Sequence, residues 1–416
     1  MKIVLAPDKF KGSLTAPQVA EAMARGVRRA REDATIDICP MADGGEGTVA
    51  ALVAATGGRI VTRRVTGPLP EMKVEAQFGV LGDGKTAVIE MAAASGLALL
   101  KPEDRNPLNT TTFGTGELLL AAATFSEGVE ESGAPLRSAP GLVETGRHIK
   151  HIILGIGGSA TVDGGIGCAQ GCGLPVLLEG GEPVSMTEPL CGRDIPSVVL
   201  IKHGRGSPID HCRITVACDV TNPLFGPDGA AAVFGPQKGA TPQQVKWLDD
   251  ALEQFAVRTG KMDAAKTPGA GAAGGLGFGI LAFFANSSLR SGSQIMIEAT
   301  GLRERLRGAD LCITGEGRLD SQSLSGKAPI AVARLCKEMG VRCVAVVGSA
   351  AADAEATRSE GLDRWLELCS PPLPLEESIR RASELVEART RDLTSSEITP
   401  SLPSPGIPVE GKEENG

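Results

Sequence analysis

The chain has 416 residues, with 54 glycines, 10 phenylalanines, two tryptophans and no tyrosine, and its 42 basic and 50 acidic residues give a formal net charge of −8. This length exceeds that of one compact domain, so we expect two or three domains. The acidic balance and the scarcity of aromatic rings argue against nucleic acid as a partner. The sequence contains no run of 18 apolar residues, which argues against a membrane-spanning helix.

Strand-like and helix-like segments alternate at the start of the chain. The predicted elements here are a strand over 2–7, a helix from Thr15, a strand over 36–39 and a helix over 48–55. Thr15 and Gln18 form a capping box, the pattern in which each side chain caps a backbone N–H of the other residue. Val19, Met23 and Val27 then line one face of the helix, which indicates that this face is buried.

The middle of the chain begins with a hairpin pattern. Residues 74–80 alternate with period two, and a glycine-rich turn leads into a second strand over 87–90. The segment from Gly79 to Thr86 formally matches the P-loop pattern G-x-x-x-x-G-K-[ST]. A P-loop must be followed by a helix, whereas the β-like run Ala-Val-Ile follows here. We therefore interpret the segment as a hairpin tip and not as a phosphate cradle.

Regular elements return in the second half of the chain. Thr241 and Gln244 supply a second capping box, with Pro242 at the first helical position and Gly260 beyond the end of the helix. The later predicted elements are a strand over 310–314, a helix over 329–338, a strand over 342–347 and a helix over 376–390. Alternation of this kind predicts a mostly parallel sheet covered by helices.

Two stretches look like additions to this framework. Residues 126–147 lack apolar periodicity, and we expect a long surface loop there. Residues 391–416 are rich in proline, serine and charge. They bury too little apolar surface to offset the entropy of ordering, so we predict a disordered tail.

The cysteines and the N-terminus suggest a reducing compartment. None of the ten cysteines forms a C-x-x-C pair, and several lie within apolar runs, so we interpret them as reduced core thiols. The chain opens with a strand and not with a basic and apolar leader. We therefore expect a cytoplasmic protein.

Polar clusters follow five apolar, strand-like runs: the predicted strands 2–7, 36–39 and 310–314 and two further runs, 152–154 and 214–218. In open α/β sheets, ligands bind beside the carboxyl ends of the strands. The clusters run from Asp8 to Ser13, from Asp43 to Thr48, from Gly155 to Gly165, from Asp219 to Pro223 and from Gly315 to Asp320, with Lys327 shortly afterwards. Turn formation explains any one of them alone. Together they combine carboxylates, lysines and hydroxyls in glycine-rich loops, which favours the binding of phosphate and Mg²⁺.

Other chemistries fit these residues less well. The four histidines, His148, His151, His203 and His211, lie outside the clusters, which disfavours histidine catalysis and zinc binding. The pattern G-x-G-x-x-[GA] occurs three times, but none has the complete setting of a dinucleotide-binding unit, so a nicotinamide-dependent dehydrogenase is disfavoured. The segment around Ser159 does not match the G-x-S-x-G motif of serine hydrolases.

Eight sequence strings, found in one order over roughly residues 1–388, carry a family resemblance. They are Ala6-Pro-Asp-Lys-Phe-Lys-Gly-Ser13, Ala42-Asp-Gly-Gly-Glu-Gly-Thr48, Ile89-Glu-Met-Ala-Ala-Ala-Ser-Gly96, Gly155-Ile-Gly-Gly-Ser-Ala-Thr161, Val216-Ala-Cys-Asp-Val-Thr-Asn-Pro-Leu224, Phe234-Gly-Pro-Gln-Lys-Gly239, Pro268-Gly-Ala-Gly-Ala-Ala-Gly-Gly275 and Ile313-Thr-Gly-Glu-Gly-Arg318. Together they closely resemble the type 1, or bacterial-type, glycerate kinases.

The resemblance implies a kinase that uses ATP and Mg²⁺ to convert D-glycerate into 2-phosphoglycerate. The alternatives are 3-phosphoglycerate as the product, or a catalytically inactive homologue that binds glycerate or nucleotide. The expected partners are D-glycerate and ATP, and a second copy of the chain in a homodimer is a further expectation.

The resemblance also implies an α/β fold with two domains. Residues 1–66 and 295–390 would form a discontinuous Rossmann/flavodoxin-like domain, and residues 67–294 a mixed α/β domain inserted between them. The substrate site would lie in the cleft between the two domains, which closure could shield from water.

Phosphoryl transfer requires mainly positioning and charge neutralisation, and the candidate residues follow from that requirement. Asp219 is the candidate base for the glycerate hydroxyl, with Asp8 and Asp43 as alternatives. The candidate substrate ligands are Arg105, Asn222, Lys9 and Ser159. The candidate phosphate or nucleotide ligands are Lys11, Lys327, Gly157, Gly158, Gly271 and Gly274, and the candidate metal ligands are Glu316 and Asp320.

Some of these assignments keep an alternative. Asp219 also suits a turn. Arg105 is chosen because guanidinium binds carboxylate in a bidentate manner, but a solvated loop charge is an equally simple interpretation. Which of the two glycine-rich segments, 155–165 or 268–279, binds ATP is left open.

Overall fold

The computed structural model describes residues 1–125, 148–202, 207–320, 323, 327–369, 371 and 373–398. Its strands are β1 (Lys2–Leu5), β2 (Thr35–Ile38), β3 (Arg59–Thr66), β4 (Lys73–Val80), β5 (Thr86–Glu90), β6 (His151–Gly155), β7 (Val176–Leu178), β8 (Val198–Ile201), β9 (Arg213–Ala217), β10 (Ser287–Arg290), β11 (Leu311–Leu319), β12 (Arg342–Ala350) and β13 (Arg364–Glu367). Its α-helices are α1 (Ala16–Ala30), α2 (Thr48–Thr56), α3 (Ala92–Ser95), α4 (Phe113–Ala123), α5 (Ile166–Gly171), α6 (Ala230–Phe234), α7 (Pro242–Arg258), α8 (Met262–Lys266), α9 (Ala272–Phe283), α10 (Gly292–Thr300), α11 (Leu302–Leu306), α12 (Ala328–Met339), α13 (Leu375–Arg380) and α14 (Ala382–Ile398).

The first sheet takes its strands from both ends of the chain. Its five parallel strands lie in the order β13-β12-β11-β1-β2. Numbered along the chain, this is the 2-1-3-4-5 order of flavodoxin-like sheets, in which the direction of winding reverses between the first and third strands. Here those strands are β1 and β11. The arrangement confirms the predicted α/β fold class.

Both faces of the first sheet are covered by helices. Ile3 and Leu5 of β1 pack with α1 and α14 on one face. Val4 points to the other face and packs in the cluster that contains α12. This alternation along one short strand explains why β1 is an apolar run, since both of its sides are buried.

The second sheet is mixed and has six strands, in the order β10-β9-β6-β5-β4-β3. Strands β10, β9, β6 and β5 are parallel, whereas β4 and β3 complete the sheet by antiparallel pairing. One face packs on α2 and α10, and the other on α4, α5, α7 and α9. Strands β7 and β8 form a separate antiparallel pair.

Most of the predicted element positions are confirmed. Thr15 and Thr241 both cap their helices through complete capping boxes. The candidate P-loop is the hairpin between β4 and β5, where Asp83 Oδ1 accepts the N–H groups of Lys85 and Thr86. Rejecting the P-loop on its sequence context was therefore correct.

Three boundaries differ from the prediction. Strand β3 pairs with β4, so residues 59–66 belong to the second sheet, and the predicted domain boundary after residue 66 lies too late. Strand β11 extends to Leu319 because its full length pairs with β12. The helix predicted over 376–390 is two helices, α13 and α14.

The C-terminal helix also corrects the predicted start of the tail. Helix α14 continues to Ile398, and Leu393 is fully buried. The buried Glu397 forms an ion pair with Arg342, with 2.7 Å between Oε2 and Nη1. Residues 391–398 are therefore part of the fold and not of a disordered tail. The rest of that predicted tail, 399–416, and the predicted loop 126–147 lie outside the described residues.

The cysteines are all unpaired, and eight of the ten are buried, as expected for reduced core thiols. Three of them, Cys312, Cys336 and Cys343, have sulfur atoms within 4.8 Å of one another beneath α12. They lie in the hydrophobic core of the first sheet. Among the described residues, no helix is both long enough and apolar enough to cross a membrane.

Candidate active site

The carboxyl ends of the two sheets meet at the loop that follows β2. A Cβ on Gly44 would lie 2.7 Å from the Cβ of Ala217, at the end of β9. A Cβ on Gly155, at the end of β6, would overlap the carbonyl oxygen of Gly44. Glycine is required at such contacts because the backbones approach too closely for any side chain. The polar clusters of both sheets therefore border one region.

Two buried carboxylates lie at the switch point of the first sheet. Asp8 follows β1, Glu316 lies on the adjacent strand β11, and each residue is 6% exposed. Burial raises the pKa of Asp8 to about 6 and the pKa of Glu316 to about 7. Burial has this effect because it disfavours the charged form, and nearby lysines compensate only in part. Both carboxyl groups are therefore easier to protonate than exposed carboxyl groups.

Lys327 and Asp320 complete this acidic cluster. Lys327 Nζ lies 3.6 Å from Glu316 Oε2 and 3.8 Å from Asp320 Oδ1. Ser323 Oγ donates to Glu316 Oε1 at 2.7 Å. Arg318 Nε also lies 3.4 Å from Asp320 Oδ2, and the charge of Lys9 lowers the pKa of Asp8. The oxygen atoms of the three carboxylates, Asp8, Glu316 and Asp320, are the hard ligands that Mg²⁺ prefers. The donor set fits a divalent cation.

The other two lysines predicted to bind ligands differ in their surroundings. Lys9 Nζ donates to the carbonyl oxygen of Glu46 and lies 3.8 Å from Asp43 Oδ1. These contacts join the loops after β1 and β2. Lys11 is exposed, and its backbone nitrogen lies beside Gly317 on β11. Lys11 is therefore close to the acidic cluster and accessible to a ligand.

Glu90 is a carboxylate of this region that the sequence reasoning missed. It ends β5, and its Oε1 accepts the N–H of Val49 at 2.8 Å, in the first turn of α2. Burial raises the pKa of Glu90, while the neighbouring Lys9 acts in the opposite direction. Sequence reasoning could have identified Glu90, because it is the last residue of the predicted strand over 87–90.

Asp219 follows β9 and is held by the start of α10. Its Oδ1 accepts the hydroxyl of Ser291 at 2.8 Å and the N–H of Gly292 at 3.0 Å. Partial burial raises the pKa of Asp219; the two hydrogen bonds lower it, and the charge of Asp43 raises it. Asp219 is exposed as a residue, so it is accessible to a ligand. Its carboxylate is fixed in orientation, near Asp43.

Asn222 forms hydrogen bonds within its own loop region. Its side-chain amide donates to the carbonyl oxygen of Asp228 at 2.8 Å, and its own carbonyl accepts the N–H of Gly271 at 2.9 Å. Both contacts stabilise the loop that follows β9. The Asp-x-x-Asn-Pro pattern suits a turn as well as a ligand, and the substrate role of Asn222 stays a prediction.

The two glycine-rich segments differ in exposure. Gly157 and Gly158, after β6, are exposed. Gly271 and Gly274 are buried, and the N–H of Gly271 is already donated to Asn222. A Cβ on Gly274 would overlap the carbonyl oxygen of Thr161. In this structure Gly271 and Gly274 allow close packing of the backbone, and their role in binding phosphate stays a prediction.

Ser159 follows these exposed glycines in the chain, and its hydroxyl accepts a hydrogen bond from a buried lysine. Lys238 Nζ donates to Ser159 Oγ at 2.7 Å and to the carbonyl oxygen of Thr161 at 2.7 Å. Sequence reasoning assigned no role to Lys238, although this residue lies in one of the eight strings. Nothing in a short loop between α6 and α7 indicates that its lysine is buried.

Arg105 lies beside the loop that carries Lys238. A Cβ on Gly239 would overlap the carbonyl oxygen of Arg105. The Arg105 Nε is buried and has no hydrogen-bond partner among the described residues. An unpaired guanidinium nitrogen is costly to bury, so its position is consistent with the predicted role of binding a carboxylate.

The described histidines lie away from the polar clusters at the carboxyl ends of the strands, as expected from the sequence. His148 and His151 precede or open β6, and His211 precedes β9, so all three are near the amino ends of these strands. His151 Nε2 hydrogen-bonds Thr215 Oγ1 at 2.8 Å. His203 lies outside the described residues.

Comparisons with known proteins agree on one family. The sequence profile of the Glycerate kinase family matches residues 3–396. The chain is 44% identical over 396 residues to a glycerate kinase of Halalkalibacterium halodurans, covering 94% of this chain and 97% of the relative. It is 42% identical over 400 residues to the glycerate 2-kinase of Escherichia coli, covering 95% and 98%.

A solved structure shows the same similarity. The crystal structure of a protein from Salmonella typhimurium LT2, described as a glycerate kinase 2, superposes with a TM-score of 0.80 at 41% sequence identity. The match covers 95% of this chain and 98% of that one.

Proposed function

The chain belongs to the glycerate kinase family, and we propose that it transfers the γ-phosphoryl group of ATP to D-glycerate, giving 2-phosphoglycerate and ADP. The similarity to the E. coli glycerate 2-kinase supports the hydroxyl at carbon 2 as the acceptor and does not favour 3-phosphoglycerate. The single observation that carries the proposal is that carboxylates and lysines of both sheets border one region. An inactive homologue is not favoured, because the candidate carboxylates are all present.

The proposed base is Asp219. The glycerate hydroxyl oxygen attacks the γ-phosphorus, the bond from that phosphorus to the β–γ bridging oxygen breaks, and ADP leaves. The hydroxyl proton passes to the Asp219 carboxylate, whose second oxygen, Oδ2, is free for it because Ser291 and Gly292 both donate to Oδ1. A fixed carboxylate suits this role, because a general base must lie within hydrogen-bond reach of the proton that it accepts.

The acidic cluster is proposed to hold Mg²⁺. Asp8, Glu316 and Asp320 would provide its carboxylate ligands, because the three carboxylates lie together beside the adjacent strands β1 and β11. When bound, Mg²⁺ neutralises charge on the phosphate oxygens of ATP.

The lysines are proposed to bind phosphate. Lys327 precedes the first residue of α12, a helix of 12 residues, so its ammonium and the helix N-terminus would act on the same anion. Lys11 is exposed beside β11 and would add a second charge. Lys9 would act on the substrate side, since it connects the loops of Asp8 and Asp43.

We further propose that the two sheets form two domains with the site in the cleft between them. Because β3 belongs to the second sheet, the first boundary would fall near Gly57, between α2 and β3. A homodimer and a cytoplasmic location stay predictions.

The experiment that tests the proposed function supplies the purified full-length chain with D-glycerate, ATP and Mg²⁺ and follows ADP release. Addition of enolase, which consumes 2-phosphoglycerate but not 3-phosphoglycerate, identifies the product. ADP release without turnover by enolase would indicate the 3-phosphate, and no ADP release by the folded protein would contradict the proposal.

A further inference from the structure

Lys238 is a buried cation whose contacts are all with neutral groups. It is 2% exposed, and its ammonium donates to Ser159 Oγ and to the carbonyl oxygen of Thr161, each at 2.7 Å. Burying a charge is costly unless it is paired and hydrogen-bonded. The acid whose charge acts on it is Asp163, but the Asp163 carboxylate accepts hydrogen bonds from Thr112 and from the N–H of Gly165. No carboxylate of the described residues lies within ion-pair distance of Lys238.

The contact with Lys238 fixes the direction of the Ser159 hydroxyl. Because Ser159 Oγ accepts from an ammonium, its own hydrogen must be donated elsewhere. No hydrogen bond within the described residues takes that hydrogen. Ser159 is 6% exposed and directly follows the exposed Gly157 and Gly158 in the chain. The hydroxyl is thus a donor oriented by a positive charge and left without an acceptor.

A second observation indicates an excess of donors in this segment. The Oγ1 of Thr161 is completely buried and has no hydrogen-bond partner among the described residues. Unsatisfied buried hydroxyls are uncommon, and each one calls for an explanation. Lys238, Ser159 and Thr161 together offer more donors than the surrounding protein offers acceptors. Such a segment favours a ligand that brings oxygen atoms and negative charge.

We propose that the segment 157–161, backed by Lys238, is an oxyanion subsite that binds a carboxylate or phosphoryl group of a substrate. Ser159 donates to the anion, and Lys238 is a positioning residue that acts through Ser159. This inference rests on the proposed function, since it assigns the subsite to glycerate or to ATP. It adds Lys238 to the segment after β6, in which Gly157, Gly158 and Ser159 were already candidate ligands, and it gives the Ser159 hydroxyl a direction.

The surroundings support an anion at this place. Gly239, next to Lys238, packs on the backbone of Arg105, so two cationic residues come from adjoining segments. Burial lowers the pKa of Lys238 to about 7, and the charge of Asp163 raises it. A bound anion would favour the charged ammonium, and the ammonium would in turn strengthen the hydrogen bond from Ser159 to the anion.

The test uses the full-length chain with Lys238→Met, which keeps the length of the side chain and removes its charge. Dissociation constants for D-glycerate and for ATP are measured separately by calorimetry, and melting temperatures are measured without ligand. We expect one dissociation constant to rise at least tenfold. Because Lys238→Met also removes the donor to Ser159 Oγ and to the carbonyl oxygen of Thr161, the melting temperature is measured to confirm that the variant is folded. Lys246→Met, an exposed lysine on α7, is the matched control and should change neither quantity.

Each outcome has a defined meaning. A rise for glycerate alone assigns the subsite to the carboxylate, and a rise for ATP alone assigns it to a phosphoryl group; both support the proposal. Unchanged binding of both ligands by folded Lys238→Met overturns it. If that variant does not fold, Ser159→Ala decides in the same way, because it removes only the donating hydroxyl. Turnover by the wild-type chain is measured in parallel, so that failure of the proposed function is seen independently of failure of the subsite.

Discussion

Lys327 Nζ lies 3.6 Å from Glu316 Oε2, at the point where the strand order of the first sheet reverses. Flavodoxin-like sheets bind ligands at this switch point because the chain leaves the two central strands in opposite directions and opens a crevice. Here the three carboxylates Asp8, Glu316 and Asp320 lie close to Lys327, and Arg318 pairs with Asp320. The proposed Mg²⁺ would offset part of the negative charge of these carboxylates.

The first prediction concerns Glu316. We expect Glu316→Gln to raise the Mg²⁺ concentration for half-maximal activity by on the order of tenfold or more, because one anionic metal ligand is lost. Activity is measured as a function of Mg²⁺ at saturating ATP and D-glycerate. Glu338→Gln is the control, since Glu338 makes only an exposed ion pair with Arg303. An unchanged Mg²⁺ dependence in Glu316→Gln would remove Glu316 from the metal site.

The second prediction concerns the base. Asp219→Asn keeps an oxygen that can accept from Ser291 and Gly292 but removes the group that takes the proton. We expect kcat to fall by about 10²–10⁴-fold, the usual contribution of a general base, with little change in the KM for ATP. Asp250→Asn, on the exposed side of α7, is the control. A rate within threefold of wild type would transfer the role to Asp8 or Asp43, which are tested by the same substitution.

The third prediction is a pH dependence of anion binding. The free protein loses the Lys238 proton as the pH rises through about 7, whereas a bound anion retains it. Affinity for the anion bound at this subsite should therefore be constant below about pH 7 and fall by up to about tenfold per pH unit above it. Asp163 is the titratable group whose charge acts on Lys238, and Ser159 and Thr161 are neutral.

This dependence is measured by titrating D-glycerate and ATP between about pH 6 and pH 9. The Lys238→Met variant should bind the anion weakly at every pH, and its affinity should not show the fall above about pH 7 that is due to Lys238. If the slope is the same in wild type and variant for both ligands, another group is responsible, and the role of Lys238 is contradicted.

The fourth prediction separates packing from ligand binding at a glycine. Gly274 and Gly260 both have a left-handed φ, of +68° and +65°, but only Gly274 lacks room for a side chain. Gly274→Ala should therefore be less stable than Gly260→Ala by about 1–3 kcal/mol, the usual cost of overpacking. Denaturant unfolding of both variants measures the difference. Equal stabilities would show that the close packing around Gly274 is not required.

The local elements could be predicted because their signals are local. The capping boxes at Thr15 and Thr241 satisfy backbone groups within one turn, and the hairpin before Thr86 is fixed by its own turn residues. The clusters that begin at Asp8, Asp43 and Asp219 were found because strand ends in a parallel sheet share one edge.

The remaining features depend on contacts between distant segments. The membership of β3 in the second sheet is decided by its pairing with β4, and the packing of Gly274 by Thr161, more than 100 residues away. From the sequence alone, Lys238 is interpreted as a solvated loop lysine, and only the fold shows that it contacts Ser159. Burial of a polar residue by tertiary structure leaves no periodic pattern in the sequence.

The central claim is that this chain phosphorylates D-glycerate at carbon 2. The most direct test incubates the full-length chain with D-glycerate, ATP and Mg²⁺ and measures ADP release with and without enolase. We predict that ADP forms in proportion to D-glycerate consumed and that enolase converts the product without a mutase. No ADP release by the folded chain, or a product that enolase does not accept, would contradict the claim.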